Sequence, residues 1–139
     1  MDMETVIADT GFVVALLNQT DLRHADVQPI YLQHPTILLP KTVFVEVAYL
    51  IGRDAGISTT IAFLRNIPKS RFQPIDFTDQ DLDRIANILE QYIDSRVDFV
   101  DASVMAIAER FNIKTVLTLD QRDFRIFRPK HCESFHLLP

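Results

Sequence analysis

Short apolar runs alternate along the chain with longer stretches of helical periodicity. Thr5, Val6, Ile7 and Ala8 are β-branched or apolar and stop at Asp9-Thr10-Gly11, the pattern of a buried strand followed by a helix start. Residues 12–17 supply a short apolar helix, and residues 22–33 a polar-faced one that His34-Pro35 ends. A second strand covers residues 37–39. The helix after it, residues 41–55, carries Val43, Phe44, Val47, Ala48, Leu50 and Ile51 at helical spacing, with Gly56 as its stop. Ser58 is the expected N-cap of a helix over residues 59–66 that Pro68 closes. A third strand spans residues 72–77, Thr78 or Asp79 caps a helix over 80–93, and another helix runs over 98–111. Residues 115–119 form a fourth strand and residues 135–138 a fifth, edge-like one. Strands alternating with helices predict a single α/β domain over residues 1–139 with a largely parallel sheet.

Composition narrows the class. A domain of 139 residues buries roughly 65–70% of its unfolded surface, enough for a real core. With 47% hydrophobic residues, disorder is excluded. No apolar run approaches the ~18 residues a membrane span needs. The acidic start, Met1-Asp2-Met3-Glu4, differs from the basic start of a secretory signal. The lone Cys132 has no internal disulfide partner, so a cytoplasmic location is expected. A formal charge of −5, from 14 Lys and Arg against 19 Asp and Glu, argues at first against a nucleic-acid partner.

The positions of a few acids change that picture. Parallel α/β sheets carry their functional groups beyond the carboxyl ends of the strands, where Asp9 and Asp120 fall. Each also has a bland role: an aspartate before a helix is a preferred N-cap, worth about 1 kcal/mol. Glu46 shares a helix face with Val43 and Leu50, and an unpaired carboxylate there is costly. Either it pairs with Arg53 or sits at the edge of the stripe, or it is turned inward for a purpose. Asp98 and Asp101 open the helix bearing Val104 and Met105, where they mimic a capping box. Taken together, Asp9, Glu46, Asp101 and Asp120 are spaced so that strand ends and adjacent helices bring them to one cleft. Four carboxylates in a partly buried site repel, and persist if some are protonated or cations neutralise them. Hard oxygen donors without a Cys or His set point to Mg²⁺ or Mn²⁺.

These blocks resemble the PIN domain, and in particular the ribonuclease toxins of VapBC-type toxin–antitoxin pairs. Asp9-Thr10-Gly11 is similar to that family's opening motif, and Glu46 within Val43-Phe44-Val45-Glu46-Val47-Ala48 to its helix glutamate. Asp98-Phe99-Val100-Asp101-Ala102-Ser103 resembles its third acidic block, and Thr118-Leu119-Asp120-Gln121-Arg122-Asp123-Phe124 its ending. Four blocks in register over nearly the whole chain make the resemblance specific. It implies a three-layer α/β/α domain with a five-stranded parallel sheet, and an acidic pocket binding one or two Mg²⁺ or Mn²⁺ ions. It implies hydrolysis of RNA phosphodiester bonds, with Asp9, Glu46, Asp101 and Asp120 as catalytic, metal-binding residues. Asp98 and Asp123 are extra acids of some members, with supporting roles. Thr10 and Thr118 are placed to aim carboxylates. A cognate antitoxin protein and a homodimer are further expectations, the latter through apolar residues of the helices beginning at Lys41 and Ser58.

Arg122, Arg125, Arg128 and Lys130 cluster just after Asp120, either as a phosphate-contacting surface or as a solvated turn. His24 reads as a surface helix residue; Tyr31, Tyr49 and Tyr92 read as packing, and so do Phe44 and Phe63. Two other phosphate-handling folds fit less well. A haloacid-dehalogenase-like enzyme needs a second aspartate where Gly11 stands, and a receiver domain needs paired acids near the first strand. A solitary RNA-processing nuclease, or a PIN-like module that binds RNA or protein without cutting, is the remaining alternative. Setting aside the quartet and Asp98 leaves 14 acids against 14 bases, so the acidic total mostly counts one site.

Overall fold

Helices and strands alternate through the computed structural model, which describes residues 4–139; Met1, Asp2 and Met3 of the acidic start lie outside the described residues. The order is β1 (Val6–Ala8), α1 (Thr10–Leu17), α2 (His24–Gln33), β2 (Ile37–Pro40), α3 (Lys41–Ala55) and α4 (Ile57–Asn66). A 3₁₀ turn (Ile67–Lys69) leads to β3 (Phe72–Ile75), α5 (Asp79–Gln91), α6 (Phe99–Arg110), β4 (Thr115–Leu117), α7 (Gln121–Ile126) and β5 (His136–Leu138). The strands form one sheet, β3-β2-β1-β4-β5, and every pairing is parallel. Helices cover it in a three-layer α/β/α arrangement, as the alternation of elements predicts.

Burial follows strand position. Every residue of β1, β2 and β4 is buried, which is why these strands read as continuous apolar runs. The outer strands β3 and β5 are partly exposed. Seven consecutive residues of α6, from Ala102 to Ala108, are buried, so this helix is enclosed on all sides. Helices α3 and α4 meet at Gly52, where an added Cβ would stand 2.8 Å from Thr60 Oγ1.

Several local expectations change. Helix α2 begins at His24, not at residue 22: Asp21 accepts the Arg23 N–H (2.8 Å), and Leu22 projects fully into solvent. Gly56, at φ +92°, serves as both the end of α3 and the N-cap position of α4, so Ser58 falls inside the helix and caps nothing. Tyr49 is exposed instead of packed, whereas Tyr31 packs on Phe72, Tyr92 on Phe127 and Phe44 on Phe63. His24 ties α2 to α1 through Nδ1, 2.9 Å from the Ala15 carbonyl.

Helices α5 and α6 are joined by two ion pairs with buried carboxylates. Thr78 and Asp81 form a reciprocal capping box, and Arg110 Nε donates to Asp81 at 2.9 Å. Arg84 grips Glu109 with two bonds of 2.7 and 3.0 Å, and the Lys130 N–H donates to the same carboxylate at 2.8 Å. Burial alone would raise Glu109; these bonds and the Arg84 charge outweigh it and hold the carboxyl below its usual range. Arg84→Met would strand that carboxylate, so we expect a loss of about 2–4 kcal/mol by urea unfolding. A change within error would show that the pair adds nothing to stability.

Candidate active site

Strand register builds the centre of the site. Ala8 of β1 pairs with Leu117 of β4, so the next residues, Asp9 and Thr118, leave the sheet side by side. The Asp9 N–H donates to the Leu117 carbonyl at 2.9 Å, and the Thr118 N–H to the Leu138 carbonyl at 2.8 Å. Asp9 is the N-cap of α1, but its Oδ1 accepts from the first helical N–H, that of Thr10 (2.8 Å), and its Oδ2 turns to Thr118. Thr118 Oγ1 donates to Asp9 Oδ2 (3.2 Å) and stands 3.1 Å from the Asp120 carbonyl, sharing one proton between two acceptors. Asp9 is only 6% exposed. Thr10 Oγ1 is buried beside it without a hydrogen-bond partner, so the backbone of Thr10, not its hydroxyl, holds the carboxylate.

Helix α6 delivers the second acid. Asp98 Oδ1 accepts the Asp101 N–H (2.9 Å), and Asp101 Oδ2 accepts the Asp98 N–H (3.2 Å), a capping box made of two aspartates. Asp101 Oδ1 carries no hydrogen bond among the described residues. Thr42 Oγ1 lies 2.6 Å from Ser103 Oγ, which donates to the Val100 carbonyl at 2.6 Å, tying the start of α3 to α6. Glu46, one turn further along α3, is half-buried and has no hydrogen bond or ion pair among the described residues. Its expected partner, Arg53, bonds its neighbour Asp54 instead (2.8 Å).

Electrostatics shows which acids face one another. Burial pushes Asp9 up to about 6 against the lowering effect of the Thr10 and Thr118 bonds, and repulsion from Glu46 and Asp98 adds to the rise. Asp101 is pushed up to about 8, by burial first and then by the Asp9 charge. Asp9, Glu46, Asp98 and Asp101 therefore share one neighbourhood. Asp120 occupies the N-cap position of α7, but its exposed side chain makes no capping bond, contrary to the bland reading of it. Asp123, one turn later, is buried without a hydrogen bond to its carboxylate, and burial, then Asp120, raises it. Arg122 and Arg96 oppose that rise; Arg96 was not singled out from sequence, although it stands two residues before Asp98. Buried Phe124 anchors the segment and turns Asp123 inward, a signal legible in the Asp-Phe pair.

The basic cluster divides. Arg122 and Arg125 line a cleft with Asp120, and Arg23 from the turn before α2 joins them. Arg128 folds back onto the Arg125 carbonyl (2.7 Å), and Lys130 borders a separate depression with Glu109 and His131.

The donor chemistry of the acidic neighbourhood fits a hard divalent ion: only carboxylates, two of them raised by burial and by neighbouring acids, beside an unsatisfied hydroxyl. Among the described residues, no three such side chains are already gathered around a single ion position.

A three-layer parallel α/β domain with acids at the end of its central strand is the class that fold and site define. Residues 6–128 match the PIN domain model, and the chain belongs to the PIN domain family. Ribonuclease VapC26 of Mycobacterium tuberculosis is 27% identical over 135 residues, 96% of this chain and all of the relative. Among solved structures, VapC20 of the same organism, described as a Sarcin-Ricin loop cleaving toxin, superposes with a TM-score of 0.77 at 22% identity, covering 84% of this chain and 91% of that one. VapBC2 of Rickettsia felis, bound to a promoter DNA fragment, gives 0.69 at 18% identity and covers 96% of each chain.

The raised acids set the pH dependence of the ion-free fold. Stability carried by neutral Asp9 and Asp101 is complete below about pH 3.8 and is lost as pH rises through about 6 and then about 8. Asp9→Asn keeps the acceptor for Thr10 and removes the charge. In chelator, it should stabilise the chain at about pH 8 by about 1–3 kcal/mol. Thermal or urea unfolding across that range checks this, and a variant less stable than wild type at alkaline pH would contradict it.

Proposed function

We propose that this PIN-domain chain is a divalent-metal-dependent endoribonuclease, the toxin of a toxin–antitoxin pair, acting in the cytoplasm as a single domain. The observation that carries this reading is the buried Asp9 carboxylate at the end of the central strand, raised by burial and further by Glu46 and Asp98, with no basic side chain bonded to it among the described residues. The family match supports it, as do relatives named as a ribonuclease and as a Sarcin-Ricin loop cleaving toxin. Structural neighbours described as toxin–antitoxin complexes, from Klebsiella pneumoniae among others, support the antitoxin partner.

Asp9 and Asp101 are the principal metal-binding residues in this reading, with Glu46 and Asp120 completing the set. One or two Mg²⁺ or Mn²⁺ ions held there supply positive charge for the scissile phosphate and lower the pKa of an attacking water. The chain's own part is positioning. The Thr10 N–H and the Thr118 hydroxyl fix both oxygens of Asp9, and the capping box fixes Asp101 Oδ2. Asp101 Oδ1 and the Glu46 carboxylate are left as acceptors for an ion or for a proton from water. Asp123 backs Asp120 from within α7. Exposed Val45 and Tyr49 on α3, with Ile57, Ile61 and Leu64 on α4, support self-association as a homodimer.

Cleavage mapping on total cellular RNA tests the activity. Wild-type chain should cut with Mg²⁺ or Mn²⁺ and stop in EDTA, and Asp9→Asn should lose about 100-fold or more while remaining folded. Mg²⁺ should also raise the melting temperature of wild type and leave that of the variant unmoved. Full cleavage by folded Asp9→Asn would sink the mechanism. RNA binding without cleavage under either metal would leave a binding module. Growth arrest on expression, relieved by a neighbouring antitoxin gene, tests the toxin role.

A further inference from the structure

Beside the acid pocket lies an open cleft of about 600 Å³ that begins at Asp120 and is walled by α7 and the turn before α2. Arg23, Arg122 and Arg125 line it, with Asp120 as the one acidic side chain of the lining and the carboxyl end of Pro139 held there by Gln121 Nε2 (3.0 Å). None of the three arginines is committed to a buried partner. Arg23 bonds Asp26 at 2.7 Å, but both side chains are about half exposed, and such pairs contribute little. Arg125 donates to the neutral Gln121 Oε1 at 2.8 Å, and Arg122 makes no hydrogen bond or ion pair among the described residues. Arg84 and Arg110 differ sharply, each locked onto a buried carboxylate. Arg122 and Arg125 therefore have no ion-pair partner among the described residues, and Arg23 has only an exposed one.

Guanidinium forks match phosphate oxygens, which makes a phosphate group the fitting ligand. Asp120 links the cleft to the acidic site: it lines the cleft, and its carbonyl accepts from the buried Thr118 hydroxyl (3.1 Å), which also donates to Asp9 (3.2 Å). A polyanion anchored in the cleft thus lies beside the acids. We propose that Arg23, Arg122 and Arg125 form a phosphate-binding subsite for the RNA strand flanking the scissile bond, with the strand running over α7 toward the α1–α2 turn. This rests on the ribonuclease reading. It also separates the basic residues that follow Asp120 in sequence: Arg122 and Arg125 belong to the subsite, and Arg128 and Lys130 do not.

Fluorescence anisotropy of a short labelled single-stranded RNA, titrated with the full chain in EDTA over a range of NaCl, tests the subsite. Arg23→Ala, Arg122→Ala and Arg125→Ala should each weaken binding by about three- to tenfold at low salt and flatten the logarithmic salt slope by about 0.7. Arg128→Ala and Lys130→Ala should bind like wild type. With metal, the first three variants should raise KM on long RNA and leave kcat unchanged, and a dinucleotide substrate should not distinguish them from wild type. If wild type binds and cuts while these three variants match it, or if Arg128→Ala and Lys130→Ala lose as much, the subsite falls and the ribonuclease reading stands. Inorganic phosphate that binds through the three arginines without competing with RNA would likewise overturn it, marking an anion site unconnected to the strand. A wild-type chain that neither binds nor cuts RNA removes both.

Discussion

A carboxylate with 6% exposure at the end of a central parallel strand is costly to ionise, and the local structure around Asp9 answers that cost only in part. The Thr10 N–H and the Thr118 hydroxyl give each oxygen one donor, and among the described residues no arginine or lysine bonds either oxygen. Register accounts for the burial: β1 lies between β2 and β4, so the residue after Ala8 emerges flanked by both neighbouring strands. The acids of α3 and α6 then raise the cost further instead of relieving it.

The fold does supply buried arginines, but elsewhere. Asp81 and Glu109 are as enclosed as the acids of the site, and each has its own guanidinium, from Arg110 and Arg84. Those pairs join α5 to α6 and close a structural account: charge is buried and neutralised in one place. At the end of β1 the same chemistry is left open. An unneutralised acid cluster lowers the stability of the ion-free protein, and that loss is recovered when a cation binds to the folded state alone. Structural and functional acids in this chain are told apart by what faces them, not by how deeply they sit.

That distinction explains what the sequence disclosed. Fully buried strands such as Ile37–Pro40 reveal themselves as uninterrupted apolar runs, and the aspartate capping box of α6 lies within one turn, where spacing dictates contact. Asp9, the Asp98–Asp101 pair and Asp120 stand out because each falls just past a strand or at a helix start, and Glu46 because it is a carboxylate on an apolar helix face. Partners chosen through space were not. Glu46 and Arg53 share a helix face, yet Arg53 takes the adjacent Asp54. Ser58 has the right chemistry for a cap, but Gly56 leaves no residue between α3 and α4 for it to occupy that position. Asp123 looked secondary to Asp120, and only the packing of Phe124 shows that it is the more buried of the two.

The basic residues carry the same lesson to the surface. Arg122, Arg125, Arg128 and Lys130 read as one cluster because they are close in sequence, but only Arg122 and Arg125 lie on α7 and line its cleft, whereas the chain past the end of α7 carries Lys130 to a depression lined by α5 and α6. Arg23, 99 residues before Arg122, enters because the α1–α2 turn folds over the same sheet end. Net charge is blind to such sorting. A total of −5 contains an acid cluster around the buried Asp9 and, beginning at Asp120, a cleft with an excess of arginine. In the proposed reading, a negatively charged strand meets attraction along the cleft and repulsion at the acids until an ion occupies them. The bare protein would then hold a polyanion beside its acids, and contact at the acids themselves would wait for metal.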